Sequence, residues 1–297
     1  MNILVVSKKT NLELHGETIR RRVKSGLIDA EHLKLLEQTH EEHYKTLDQI
    51  SALLKEFQIK SSSIARGSYW PELQGYDAVL TVGGDGTVFE ASQHILNENI
   101  LLVGVRSTQT SVGKLCHVEA GGLKKFFKDL AAKKVRHLKV ARMQAKVMFA
   151  ETGFISMTKP ILNDCLYTNI SPAATTRYKI TFENKTEEQR SSGLWVSTPC
   201  GSTAAIHAAG AKPISLKEDF FQFLVRELYD SGKTSGAEAL RWGCFKGQSS
   251  ELQIENLSEK AMLSCDGAHN SIALSYGDKI DFLRGPDLNL ACPDYFL

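Results

Sequence analysis

Asp77-Ala78-Val79-Leu80-Thr81-Val82 runs without a break into Gly83-Gly84-Asp85-Gly86-Thr87, and Val88 to Leu96 follows with helical texture. A short apolar, β-branched run that feeds a glycine turn and then a helix is the beginning of a parallel-sheet unit. In open α/β sheets ligands bind beyond the carboxyl ends of the strands, where this turn lies. Glycines let another group approach the backbone closely, and successive N–H groups ahead of a helix attract phosphate. Asp85 is the odd member of that set. A carboxylate beside phosphates repels them unless it holds a metal ion or takes a proton from an attacking hydroxyl, and both are phosphotransfer tasks. The plainer reading makes Asp85 a helix cap and the glycines a matter of geometry.

Working outward, Ile3 to Val6 reads as a buried parallel strand, and Asp29 to Phe57 as a helix with Leu33, Leu36, Leu47, Ile50, Leu54 and Phe57 on its apolar face. His40 and His43 on that helix read as part of a solvated polar face. Ile64 to Arg66 and Ile100 to Val105 read as strands, and Gly122 to Lys134 as an amphipathic helix. After about Lys134 the texture changes to short strands: Ala145 to Phe149, Arg177 to Phe182, Leu194 to Thr198, Glu251 to Glu255, Ala261 to Cys265 and Lys279 to Leu283. One helical insertion, Lys217 to Tyr229, is expected among them. The fold class is therefore an α/β N-terminal domain with a parallel sheet, residues 1–134, followed by a β-rich C-terminal domain, residues 135–297.

The bulk properties fit a globular protein. Of 297 residues, 42% are hydrophobic, and 36 basic against 34 acidic residues give a formal charge of +2. That balance predicts no nucleic-acid partner and no membrane surface. The six cysteines form no Cys-x-x-Cys pair and read as reduced thiols of a cytoplasmic protein. The apolar run at the N-terminus is too short for a signal peptide. No set of metal-ligating residues stands out. Neither a Gly-x-x-x-x-Gly-Lys-Ser/Thr loop nor a Gly-x-Gly-x-x-Gly fingerprint is present.

Two later segments add to the turn. Thr198-Pro199-Cys200-Gly201-Ser202-Thr203-Ala204-Ala205 follows a strand, and its small residues continue to Ala211, so a flat ligand can lie against the backbone. Asn163-Asp164 supplies an amide and a carboxylate suited to ribose hydroxyls. Gly83 to Thr87, then Leu162-Asn163-Asp164, then Thr198 to Ala204 stand in the order of the NAD kinase family, and Asp266-Gly267 resembles that family's late turn. Ser171-Pro172-Ala173-Ala174, Arg190 to Leu194 and Val225-Arg226-Glu227 resemble its NADH-kinase branch known from plants.

The resemblance implies the NAD kinase-like two-domain fold, with the last residues free to return to the first domain. It implies an enzyme that uses ATP and Mg²⁺ or another divalent cation to phosphorylate the adenosine ribose 2′-hydroxyl of NAD or NADH. By position, Asp85 is the implied base, and Gly83, Gly84, Gly86 and Thr87 the implied cofactor-binding residues. Asn163, Asp164, Thr198, Gly201, Ser202, Thr203, Ala204, Ala205, Ala208 and Asp266 are the implied substrate-binding set. A homo-oligomer, dimer or tetramer, is implied as well. Four residues depart from the family pattern: Glu90 in place of a basic residue, Arg106 in place of Asn or His, Ser192 in place of Asp, and Ala205 in place of Tyr. Two alternatives stay open, a lipid kinase of the diacylglycerol or sphingosine type and a non-catalytic NAD(H)-binding sensor.

Overall fold

The structure is a computed structural model that describes residues 1–108, 113–229 and 239–292. The chain forms two compact units, one of Met1–Leu138 with the segment from Asn289 onward, the other Lys139–Leu288.

The first unit is built on β1 (Asn2–Ser7), α1 (Asn11–Lys24), α2 (Ala30–Glu56), β2 (Lys60–Ala65), β3 (Ala78–Gly83), α3 (Asp85–His94), β4 (Leu101–Arg106), β5 (Val118–Glu119), α4 (Leu123–Ala131) and β6 (His137–Val140). Buried on both faces, β1, β3 and β4 are continuous apolar runs, as a covered parallel strand must be. Ile3, Val5, Leu80, Val82, Val103 and Val105 pack against Ile50 and Leu54 of α2 and Leu123 and Phe127 of α4. Each such side chain contributes roughly 1.5–3 kcal/mol through burial. Thr10 caps α1 through a reciprocal capping box with Glu13, and Asp29 caps α2.

The second unit comprises β7 (Met143–Met148), β8 (Ile155–Met157), β9 (Asp164–Asn169), β10 (Thr176–Phe182), β11 (Lys185–Ser191), β12 (Leu194–Ser197), the short α5 (Ala205–Ala208), β13 (Phe221–Val225), β14 (Trp242–Phe245), β15 (Leu252–Asn256), β16 (Ala261–Cys265), β17 (Ser271–Leu274) and β18 (Lys279–Arg284). The chain then returns through β19 (Leu288–Ala291). The first sheet has the order β2-β1-β3-β4-β19-β6, with β5 also pairing β4. The pairs β1–β2, β1–β3, β3–β4, β4–β5 and β4–β19 are all parallel. The other two sheets, β11-β10-β15-β18-β7-β8 and β14-β13-β12-β9-β16-β17, share one apolar core. Alternate residues such as Tyr178, Ile180 and Phe182 point into it, which is the period of a sheet with one covered face.

Two expectations fail here. Lys217 to Tyr229 is not a helix: Phe221–Val225 is a strand, with Phe221 opposite Phe245 and Val225 opposite Leu194. Burial of Phe221, Phe223 and Val225 at a period of two, between two partner strands, outweighs the helical spacing of the flanking residues. Nor does His43 lie on a solvated face. It is 1% exposed, with Lys8, Glu13 and His40 the charged or titratable groups that act on it.

Arg142 is wholly buried in the second unit, where Nε donates to the Pro286 carbonyl at 2.8 Å and Nη2 to the Asp287 carbonyl at 3.2 Å. Replacing Arg142 by alanine leaves those carbonyls unpaired beside a cavity and should cost on the order of 3 kcal/mol. Chemical denaturation measures this, and a loss below about 1 kcal/mol contradicts the assigned role.

Candidate active site

Because β2, β1, β3 and β4 run parallel, their carboxyl ends line one edge of the sheet. In the register, Ala65 lies beside Ser7, Ser7 beside Val82, and Gly83 beside Arg106. The residues just past those positions, Arg66, Lys8 and the turn after Gly83, therefore meet at that edge with Arg106. Backbone bonds fix the meeting: Arg66 N–H donates to Ser7 O at 2.7 Å and Lys8 N–H to Val82 O at 3.1 Å. Three cations thus flank the glycine turn.

Helix α3 begins at Asp85 itself, with Gly84 as a cap that has no side chain to bond the first-turn N–H groups. An empty cap leaves this end of the helix suited to an anion. Asp85 does not cap the helix. Its Oδ1 accepts the Leu115 N–H at 2.9 Å and its Oδ2 the Lys114 N–H at 3.0 Å. The segment that brings those amides sits against Gly104 of β4, where a Cβ would lie 2.4 Å from the Leu115 carbonyl oxygen. Arg106 ties the same segment down, donating to Gly113 O at 3.2 Å and pairing with Glu119 at 3.4 Å. These contacts give Arg106 a structural task. Thr87 is buried, and its N–H donates to Gly84 O at 2.9 Å. Burial, then the charge of Asp85, pushes the Cys116 thiol up to about 12, so it is a neutral wall of the site.

Glu90 has a clear partner. Arg66 Nε donates to its Oε2 at 2.9 Å and the Gly67 N–H to its Oε1 at 2.8 Å. Burial alone would raise the Glu90 carboxyl, but Gly67, Arg66 and Trp70 hold it below the usual carboxylate range. Arg66 thus places a cation beside Glu90, with its Nη1 3.1 Å from the position of a Cβ at Gly86. Burial and, next, the charge of Lys8 bring the His43 imidazole down to about 4, so it is neutral at physiological pH. Burial also lowers the Lys8 ammonium.

In the second unit Asp266 organises the other implied residues. Its carboxylate accepts N–H groups from Leu162 at 2.9 Å, Asn163 at 2.7 Å and Asp164 at 3.3 Å, and its own N–H donates to Asp164 O at 2.9 Å. The Thr198 hydroxyl donates to Leu162 O, and its N–H to Asn163 O at 3.0 Å. Gly201 completes the contact, since a Cβ there would stand 2.1 Å from the Asn163 carbonyl oxygen. Ser202 is buried and bonds Pro199 O, Ile214 O and Ile214 N. Thr203 and Ala204 are half-buried, and Ala205 and Ala208 are exposed on α5. Asn163 Nδ2 donates to Asp164 Oδ2 at 2.9 Å. Burial, then the charge of Asp266, raises the Asp164 carboxyl to about 7.

The structure thus joins Asn163, Asp164, Thr198, Gly201 and Asp266 in one cluster, and Gly83 to Thr87 in another. Sequence reasoning missed Lys8, Arg66, Gly104 and the Gly113 to Cys116 segment. Lys8 and Arg66 carried one signal, their place at the ends of the first two strands.

This is the fold of the NAD kinases. An NAD kinase from Archaeoglobus fulgidus in complex with ATP superposes with a TM-score of 0.65 at 17% identity, covering 100% of this chain and 95% of that one. A yeast NADH kinase complexed with NADH gives 0.67 at 15%, covering 100% and 85%. No family model matches the chain. A probable NADH kinase of Oryza sativa subsp. japonica is 26% identical over 278 residues, 86% of this chain and 83% of the relative. An NADH kinase of Arabidopsis thaliana is 28% identical over 278 residues, 87% of this chain and 86% of the relative, so the chain is similar to plant NADH kinases over most of its length.

Two outcomes are expected. Gly104→Ala should push the Leu115 carbonyl away, cost about 1–3 kcal/mol, and raise hydrogen exchange at the Lys114 and Leu115 amides. Unchanged protection there contradicts the Gly104 packing. For Asp164, the reference carboxyl ionises at 3.8 and the folded one at about 7. Between those values the folded chain holds a proton that the unfolded chain has lost, so stability falls as pH rises, by up to about 1.4 kcal/mol per unit. Thermal unfolding at about pH 4.5 and about pH 7.5 should show a smaller fall in Asp164→Asn than in the wild type. Equal falls contradict the assignment.

Proposed function

We propose that the protein transfers the γ-phosphoryl group of ATP to the 2′-hydroxyl of the adenosine ribose of NAD or NADH, giving NADP or NADPH. The observation that carries this reading is Asp85. It is the one carboxylate inside the glycine turn, at the sheet edge where ligands of such folds bind, in a chain similar to NADH kinases over most of its length.

Asp85 acts as the general base. The Leu115 N–H and the Cys116 thiol engage Oδ1 and the Lys114 N–H engages Oδ2, which fixes the orientation and leaves Oδ2 a lone pair for the ribose proton. Gly83, Gly84 and Gly86 let the phosphates approach the backbone at the start of α3, and Thr87 holds the turn from beneath. Asn163 and Asp164 hydrogen-bond the dinucleotide. A carboxyl that titrates near neutrality can donate as well as accept, which suits Asp164 to a sugar hydroxyl. Thr203, Ala204, Ala205 and Ala208 offer small side chains for the flat ligand. Thr198, Gly201, Ser202 and Asp266 act one step back, by shaping the Asn163 turn and the segment that packs on it.

A divalent ion, Mg²⁺ or another, supplies charge neutralisation on the donor phosphates. Among the described residues no group of three or more His, Cys, Asp or Glu side chains is placed to hold a metal. The ion would therefore arrive on ATP, as hard cations with few protein ligands do. The relatives favour a dinucleotide over a lipid acceptor. Among the described residues no helix is long and apolar enough to cross a membrane. The proposal extends to a cytoplasmic homo-oligomer, on the family resemblance.

Asp85→Asn should keep the fold and dinucleotide affinity while turnover falls by roughly 10²–10⁴-fold. A coupled NADP-dependent dehydrogenase assay with ATP-Mg²⁺ and either NAD or NADH reads this. Near-wild-type turnover removes Asp85 as base. Tight dinucleotide binding by the wild type with no product selects the sensor reading instead.

A further inference from the structure

Among the described residues Arg66 uses its side chain in one contact, that of Nε with Glu90. A guanidinium has five N–H donors in a planar fork that matches phosphate oxygens. Here the inner nitrogen is tied to Glu90, and neither Nη1 nor Nη2 has a hydrogen-bond partner among the described residues. Nη1 lies on the side of Gly86, at 3.1 Å from the position of a Cβ there. Glu90 is itself anchored, by the Gly67 N–H and by its place on α3, one turn beyond Gly86. The fork is therefore held from behind and open in front, over the first turn of a helix whose cap carries no side chain. The Arg66 side chain is 36% exposed and that of Glu90 21%, so a ligand can reach the first while the second is more sheltered.

We propose that Arg66 binds a phosphoanhydride chain at the glycine turn and that Glu90 is the positioning residue that aims it. This rests on the proposed function for the identity of the substrates, but the contact itself does not require turnover. The chain is that of ATP or the pyrophosphate of the dinucleotide, which share the same chemistry. A simple staple of the Arg66 to Trp70 loop onto α3 would use the Arg66–Glu90 pair without needing the outer nitrogens. The staple reading predicts stability effects and no change in anion affinity.

The test is calorimetry of the full-length protein with inorganic tripolyphosphate, for the wild type, Arg66→Ala, Arg66→Lys and Glu90→Ala, with melting temperatures recorded alongside. Loss of a charge-assisted bidentate contact should weaken tripolyphosphate binding about 10–100-fold in Arg66→Ala with the fold retained. Arg66→Lys should recover part of it, since lysine keeps the charge but not the fork. Glu90→Ala should weaken binding less than Arg66→Ala, and the double variant should be no weaker than Arg66→Ala alone. In the coupled assay, a raised KM for ATP with unchanged KM for NADH assigns the contact to the donor, and the reverse assigns it to the dinucleotide. Wild-type affinity in Arg66→Ala, no tripolyphosphate binding by the wild type, or unchanged KM for both substrates overturns the proposal. Additive losses in the double variant overturn the role of Glu90. A wild type that binds tripolyphosphate but makes no NADP(H) defeats the kinase reading while leaving this one standing.

Discussion

Two backbone N–H groups, those of Lys114 and Leu115, hold the Asp85 carboxylate in place, and much of the first unit is arranged so that they can. A carboxylate at the N-cap bonds the first-turn N–H groups, but Asp85 stands one place further on, after Gly84. Here the oxygens face the other way, because the segment after β4 comes within bonding distance. That approach needs a strand residue with no side chain, Gly104, and a tether, Arg106. The parallel register then sets what surrounds the carboxylate, since Lys8 and Arg66 follow the two neighbouring strands. The charge distribution at this edge is a consequence of strand order more than of any local motif.

The second unit uses the same kind of contact, with the carboxylate now fixing the backbone. Asp266 takes N–H groups from Leu162, Asn163 and Asp164 and so fixes the turn that carries Asn163 and Asp164. Its charge also disfavours ionisation of Asp164, which burial already disfavours. The arrangement sacrifices some stability at neutral pH to keep a titratable carboxyl beside an amide. Behind the turn, Cys165 and Cys265 face each other across β9 and β16 at 3.2 Å as free thiols.

Where local pattern and tertiary packing agree, the chain could be read in advance. The run from Ala78 to Gly83, the strand from Leu101 and the alternating strands at 176–182 and 261–265 are such places. Phe221–Val225 was not, because its neighbours carry a helical spacing and the deciding partners, Leu194 and Phe245, are distant in sequence. His43 misled for the same reason: Lys8 and Glu13, the groups that act on it in the fold, are distant in sequence. Of the two clusters, Gly83 to Thr87 in one and Asn163 and Asp164 in the other were visible as motifs. Arg66 and Glu90 were not, since a cation supplied by one strand and a carboxylate supplied by a helix 24 positions later form no pattern along the chain. The departure at Glu90 became intelligible once the three-dimensional partner was known.

Regiochemistry tests the central claim most directly. Purified protein incubated with ATP-Mg²⁺ and NADH should yield one new phosphomonoester, seen by phosphorus NMR and coupled to the adenosine ribose H2′. An unchanged dinucleotide after ATP has been offered in excess, or a phosphate on any other hydroxyl, contradicts the account.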